Sequence, residues 1–263
     1  MTTLSLVMPA FNEEARLPAL LDVLAGSADA AVADAGLTLL ETLVVDDGST
    51  DGTREILTAS SQPKLVPVVD YNENRGKGAA VADGCRHARG DYVLLADVDL
   101  STPLGELAKL TEAIRAGADL AIGSRAVPGA MVERGPAHRK LTGKVFSSTV
   151  RALTNLDVRD TQNGFKLLPT EAAKELFAEQ LCPGFAFDVE LLMRAKLAGL
   201  RIAEVPVLYV HDERSRVQVG RASVQMLRDV AMLARRLRPR GAAGTVPVAN
   251  RRWLGDLSAD DPD

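Results

Sequence analysis

Short apolar, β-branched runs alternate with longer stretches of helical periodicity over the first two-thirds of the chain. That alternation predicts βαβ units around a mostly parallel sheet. Leu4–Met8, Thr42–Val45, Lys64–Val69, Tyr92–Ala96 and Leu120–Ile122 read as buried strands, and Pro18–Ala35, Thr53–Ala59, Lys77–Ala88 and Pro103–Ala116 as helices. Pro18 fits only the first turn of its helix, where the missing N–H is not needed. The pattern then pauses over Ala126–Asp160, which is polar and basic with one helical stretch. Beyond it come an apolar run at Phe165–Leu168, a helix from Glu171, another over Asp188–Ala198, a late strand at Ile202–Val210 and a last helix over Arg221–Leu237. The expected class is α/β: a mixed, mostly parallel sheet with flanking helices, one domain over 1–238. From Pro239 the chain turns to Gly, Ala, Pro and Asp, so 239–263 is expected to be a disordered tail. The chain has no internal repeat.

Two helical stretches have a handed amphipathicity. At about 100° per residue, Lys140, Lys144 and Arg151 fall on one stripe, with Leu141, Val145, Phe146, Val150 and Leu153 opposite. In the last helix Arg221, Arg228 and Arg235 oppose Val224, Leu227, Ala231 and Ala234. Either helix can pack its apolar face on the core and solvate its charges. The alternative is a basic helix lying in a membrane interface, and for Lys140–Leu153 the expectation is an apolar face toward lipid.

Composition narrows the classes. The 263 residues carry 31 basic and 35 acidic side chains, a net charge of −4, with no basic footprint for nucleic acid. Two cysteines, Cys85 and Cys182, are too few for a disulfide scaffold and read as packing residues in a reducing cytoplasm. No apolar run approaches the roughly 20 residues that span a bilayer. The N-terminus carries no signal-peptide pattern, and the expectation is a cytoplasmic protein, peripheral at most.

Chemistry concentrates just after the strands, where ligands of open parallel sheets bind. Asp46-Asp47-Gly48-Ser49-Thr50-Asp51-Gly52 ends one strand with paired carboxylates, whose repulsion demands a cation or N–H partner. Asp97-Val98-Asp99 ends another and sends both carboxylates to one side of an extended chain, a hard-cation pattern. Asn74-Arg75-Gly76-Lys77-Gly78 opens a helix whose N–H groups and Lys77 suit a phosphate, although the spacing is not that of a Walker motif.

In order and spacing, Pro9-Ala10-Phe11-Asn12-Glu13-Glu14, VVDDGSTDGT, NRGKGAAV and DVDLSTP resemble the family 2 glycosyltransferases with the GT-A fold. Gly123-Ser124-Arg125, Asp160-Thr161-Gln162-Asn163-Gly164-Phe165-Lys166, Phe187-Asp188-Val189-Glu190 and Glu204-Val205-Pro206-Val207 are similar to the dolichyl- or polyprenyl-phosphate glucosyltransferase branch. The resemblance implies an inverting transfer of a sugar, glucose by branch, from a UDP-sugar to a polyprenyl phosphate, with Mg²⁺ or Mn²⁺, at the inner face of the cell membrane. It implies that Pro9, Phe11 and Glu13 line the nucleotide cleft and that Asp46 or Asp47 accepts the uracil N–H. Asp97 and Asp99, with Ser101, match metal positions. Arg125, Arg139 and Arg216 match phosphate-holding positions, 126–160 the acceptor-facing segment, and Asp160 the acidic position near the reacting centre. An acceptor phosphate is already an anion, so it needs cationic positioning more than a base. A hydroxyl acceptor would need a carboxylate base, Asp160 first, with Asp188 or Glu190 behind it. A soluble acceptor, or a non-catalytic nucleotide-sugar-binding protein, are the competing readings.

Overall fold

The computed structural model describes residues 1–69, 71–133, 147–211 and 219–237, with backbone alone over 219–223. Among them, seven strands form one sheet: β1 (Thr3–Ala10), β2 (Thr38–Asp46), β3 (Leu65–Val68), β4 (Tyr92–Leu95), β5 (Leu120–Ser124), β7 (Lys166–Pro169) and β8 (Ile202–Pro206). Their order is β3-β2-β1-β4-β7-β5-β8. All pairings are parallel except those of β7, which runs antiparallel between β4 and β5. A parallel two-stranded ribbon, β6 (Met131–Glu133) with β9 (Leu208–Val210), stands beside it.

The central strands are apolar on both faces because helices cover both sides. Val7, Leu43, Val45, Val93 and Leu95 face one layer, with α4 (Lys77–His87), α7 (Thr170–Ala178), α8 (Phe187–Leu197) and α9 (Val219–Arg236). Their neighbours Leu6, Met8, Val44, Tyr92 and Leu94 face the other, with α1 (Leu17–Gly26), α2 (Ala28–Asp34), α3 (Thr53–Ala59) and α5 (Leu107–Arg115). A one-residue alternation thus divides the core into two layers.

Several elements differ from expectation. The Pro18–Ala35 helix is two helices, α1 and α2, divided at Ser27, whose backbone lies off the helical region. Pro18 does occupy the first turn. The Ile202–Val210 strand is also two, because Pro206, the last residue of β8, leaves the chain to turn from the main sheet into the ribbon at β9. Helix α6, described over 147–154, buries Val150 completely in the core. Val150 therefore faces the core and not lipid, against the expectation for this residue. Leu153 stays exposed, while Lys140, Lys144 and Phe146 lie outside the described residues. In α9 the core stripe is Val230, Leu233 and Ala234, flanked by Met226 and Leu237, and Val224 is exposed instead of packed. Both cysteines are buried free thiols, as a packing role requires. Among the described residues no helix is long and apolar enough to cross a membrane. The expected tail, 239–263, lies outside the described residues.

Helix α4 carries the glycine-rich turn, so its seat on the sheet matters for the site. Gly84 is where it touches: a Cβ there would lie 2.4 Å from Cγ1 of Val7 and 3.1 Å from Cγ2 of Val45. Neither side chain has room to yield in a close-packed layer. Gly84→Ala is expected to destabilise the protein by about 1–3 kcal/mol, read as a lower midpoint in urea unfolding. An unchanged midpoint would mean the helix can lift from the sheet at no cost.

Candidate functional site

The carboxyl ends of β1, β2, β4 and β5 share one edge with the start of β7 and the N-termini of α4 and α8. Every motif singled out in the described chain meets there. Pro9 is on β1, with Phe11, 42% exposed, and Glu13 just beyond it. Burial raises the Glu13 carboxyl above its ordinary value although Arg16 clamps it, and the nearby Asp99 and Asp97 add to the rise.

Asp46 and Asp47 both have internal work. Asp46 accepts from the Ser49 N–H at 3.0 Å and pairs with Arg54 Nε at 2.8 Å. Asp47 accepts from the N–H groups of Arg75 (2.8 Å) and Gly76 (2.9 Å), pinning the glycine-rich turn to β2. Burial raises Asp47 despite those two amides. Beside it the Tyr71 phenol is pushed up to about 12, by burial and then by the Asp47 charge, and Arg75 lies over its ring at 4.6 Å. Gly76 has φ +106°, and a Cβ would meet the Pro183 carbonyl oxygen at 2.5 Å, so only glycine fits this turn.

Asp97 and Asp99 follow β4. Asp97 Oδ1 receives Lys77 Nζ at 2.6 Å. Burial disfavours its charge, yet Lys77, Lys166 and Arg125 together hold its carboxyl below the usual range. Lys77 is likewise held above the ordinary lysine value: burial opposes the ammonium, and Asp97 and then Asp188 outweigh it. Asp99 pairs with Arg16 Nη1 at 3.2 Å and accepts from the Ser101 N–H at 3.0 Å. Leu100 between them has φ +47°, rare for a branched side chain, so the loop holds strain at the site. The Ser101 carbonyl is tied to the Val210 N–H at 2.7 Å, which joins this loop to the ribbon. Gly164 abuts Asp97 so closely that a Cβ would lie 2.8 Å from Oδ2.

Two carboxylates with a hydroxyl residue beside them are a hard, all-oxygen donor set. Among the described residues no group of three or more His, Cys, Asp or Glu gathers around one point. The oxygen donors of Asp97, Asp99 and Ser101 are of the kind a magnesium-like ion takes, one or two carboxylates with water and substrate phosphate completing its shell.

On the far side of β7, Arg125 and Asp160 form a two-pronged pair: Nε to Oδ2 at 2.7 Å and Nη2 to Oδ1 at 2.8 Å. The Arg125 N–H also reaches Oδ2, at 2.9 Å. Burial works against the Asp160 charge, but Arg125 holds its carboxyl below the usual range. The guanidinium lies 4.9 Å from the Tyr209 ring centroid. Glu204 fixes the Asp160 backbone by accepting its N–H at 2.7 Å and that of Arg159. Arg139 and Arg216 lie outside the described residues.

Glu190 serves the fold: it accepts the Leu181 and Cys182 N–H groups and holds the loop that meets Gly76 and Gly78. Asp188 is bound to Lys166 at 2.5 Å, with both side chains buried. Sequence reasoning missed Arg16 and Tyr209 at this edge, and quoted Gly164 and Lys166 only within a motif, with no role of their own. Lys166 carried a signal all the same: a charged residue opening an otherwise apolar strand.

With this geometry, the comparisons define the class. Residues 5–177 match the family model for glycosyl transferase family 2, and the chain belongs to that family: it is a glycosyltransferase. It is 35% identical over 240 residues to a dolichyl-phosphate beta-glucosyltransferase of Drosophila melanogaster, covering 88% of this chain and 74% of that one. The human protein of the same name is 33% identical over 243 residues, covering 88% and 74%. Among solved structures, glucosyl-3-phosphoglycerate synthase of Mycobacterium tuberculosis, in complex with Mn²⁺, UDP and glucosyl-3-phosphoglycerate, superposes with a TM-score of 0.63 at 22% identity over 89% of this chain and 80% of that one. That likeness confirms the GT-A arrangement of the sheet.

The Arg125–Asp160 pair has a pH signature. A carboxyl whose folded value lies below its unfolded value adds stability that is complete above the unfolded value and lost as pH falls through the folded one. The unfolded value is about 3.9. The melting temperature of the protein is therefore expected to exceed that of Asp160→Asn most at neutral pH, with the gap closing below about pH 4. A gap independent of pH would show that the pair contributes shape and not charge.

Proposed function

We propose that the protein transfers a sugar, glucose by its similarity to the named relatives, from a UDP-sugar to the phosphate of a polyprenol, with inversion and with a divalent ion at Asp97 and Asp99. The observation that carries the acceptor chemistry is the Arg125–Asp160 pair. Both Asp160 oxygens are engaged by Arg125, and its carboxyl is held below the usual range, so it is a weak base. An acceptor that brings its own negative oxygen needs no base. It needs a cation to hold it, and Arg125 is that cation in the described chain. The relatives are named for a dolichyl-phosphate acceptor, which agrees.

On the donor side, breaking the bond to the anomeric carbon leaves charge on the departing diphosphate. Lys77, the first residue of α4, would receive it. Asp97 and Asp99, with Ser101 beside them, would hold Mg²⁺ or Mn²⁺, which supplies Lewis-acid stabilisation of the same charge. Pro9, Phe11 and Glu13 line the cleft from β1. Asp46 and Asp47 anchor Arg54 and the Arg75–Gly76 turn, and one of the two would accept the uracil N–H. Arg139 and Arg216 belong in this reading as further anion-holding residues of the acceptor side. A lipid acceptor brings the enzyme to the inner face of the cell membrane as a peripheral protein.

The test is a donor-by-acceptor turnover screen with Mg²⁺ or Mn²⁺, including a short-chain polyprenyl phosphate and soluble phosphate and hydroxyl acceptors. Turnover is expected with UDP-glucose and the polyprenyl phosphate, and transfer only to a soluble hydroxyl would overturn the acceptor assignment. Asp99→Asn is expected to lower turnover by about 100-fold or more, equivalent to about 2.7 kcal/mol, and to abolish Mn²⁺ binding in the presence of UDP. Unchanged activity of this variant in excess EDTA would remove the metal from the mechanism.

A further inference from the structure

Lys166 is fully buried, and its ammonium binds Asp188 Oδ1 at 2.5 Å and the Asn163 carbonyl. Asp188 is buried as well. A buried ion pair is a poor source of stability, since apolar residues of the same volume do as well or better. Its position gives the pair another meaning. Lys166 is the first residue of β7, the one antiparallel strand, and it stands in register with Leu95 on β4 and with Ile122 on β5. Two residues after Leu95 comes Asp97; three after Ile122 comes Arg125. Lys166 therefore sits between the strand that delivers the donor carboxylates and the strand that delivers the acceptor cation.

The charges around it alternate. Arg125 pairs with Asp160 at 2.7 Å, Lys166 with Asp188 at 2.5 Å, and Lys77 with Asp97 at 2.6 Å. The three pairs are tied together through their neighbours: Lys166 holds the Asn163 carbonyl, the next residue Gly164 packs against Asp97, and Lys77 Nζ lies 6.0 Å from the ring centroid of Phe187, the residue before Asp188. Six side chains from six segments thus form one chain of alternating charge from the donor side to the acceptor side, with Lys166–Asp188 as its middle link.

We propose that Lys166 and Asp188 are positioning residues for glycosyl transfer: their buried pair is a strut that sets the distance and orientation of the Lys77–Asp97 donor pair relative to the Arg125–Asp160 acceptor pair. Neither touches the reacting atoms. The strut acts on the alignment of nucleophile and anomeric carbon, to which the rate is sensitive at the level of an ångström. Donor binding depends on it far less, because Lys77, Asp97 and the pinned Arg75–Gly76 turn persist without it. The inference rests on the assignment of donor and acceptor sides under the proposed function.

The experiment uses Lys166→Met, Asp188→Asn and the double variant in the full chain, reading melting temperature, UDP affinity by calorimetry, and kcat with a polyprenyl phosphate. Lys166→Met alone leaves a buried carboxylate unpaired and is expected to melt lower. The double variant, with both charges gone, regains the melting temperature. All three are expected to lose at least tenfold in kcat with UDP affinity within threefold of the starting protein, and the double variant is no slower than the slower single one. Recovery of kcat together with the melting temperature in the double variant would overturn the proposal, since the pair would then serve the fold alone. If the lysine variants do not fold, Asp188→Asn, which is isosteric, decides: a folded protein with unchanged kcat overturns the strut. Asp99→Asn and Arg125→Gln run alongside, and full turnover in both would refute the underlying site assignment whatever Lys166 does.

Discussion

A carboxylate taken out of water must find a cation or several N–H groups, and this constraint organises the protein's working edge. Asp47 finds two amides 28 and 29 residues away; Asp46 finds Arg54; Asp97 finds Lys77. Asp99 takes Arg16 and the Ser101 amide, Asp160 takes Arg125, and Asp188 takes Lys166. Glu190 and Glu204 hold the backbones of the loops at 181–182 and 159–160. These partners come from different elements, so neutralising the charges also fixes the loops. The fold and the site are consequences of one requirement.

The requirement also explains which parts of the structure were legible in the chain. Buried parallel strands announce themselves by continuous apolar runs, and carboxylates and glycines after such runs mark the edge where ligands bind, so β1, β2, β4 and β5 and their motifs could be placed by pattern alone. Direction could not. A four-residue apolar strand such as Lys166–Pro169 has no feature that tells parallel from antiparallel, and its insertion between β4 and β5 depends on the whole sheet. The three-residue strands Met131–Glu133 and Leu208–Val210 are too short to carry a period. Helical arithmetic fails at Val150 for another reason: it ranks the faces of a helix but does not say what covers the apolar one, and here that is the core.

Partners are the other thing a sequence withholds. Asp46 and Asp47 look like ligand residues because they are paired and sit after a strand, yet each spends its first hydrogen bonds on Arg54 or on the Arg75–Gly76 turn. Arg16 lies in a segment with no strong motif, and only the fold sets it between Glu13 and Asp99. Residue type and spacing say where charge gathers. Long-range pairing decides which of those charges remains available for chemistry.

The antiparallel strand is where these two lines of argument join. In an uninterrupted parallel sheet, the strand carrying Arg125 would lie directly beside the one carrying Asp97. With β7 between them, the two stand two strand spacings apart, roughly 9–10 Å at the usual 4.7–4.9 Å per strand. Under the proposed function that gap would separate a leaving diphosphate from an incoming anion, which repel each other at closer range. It also reverses the local polarity of the chain, so the segment entering β7, with Asp160 and Gly164, arrives at the same edge as the ends of the parallel strands. One strand of reversed direction thereby creates both the spacing between the strands that lead to Asp97 and Arg125 and the loop that lines it, and Asp160 then serves as the partner that orients Arg125.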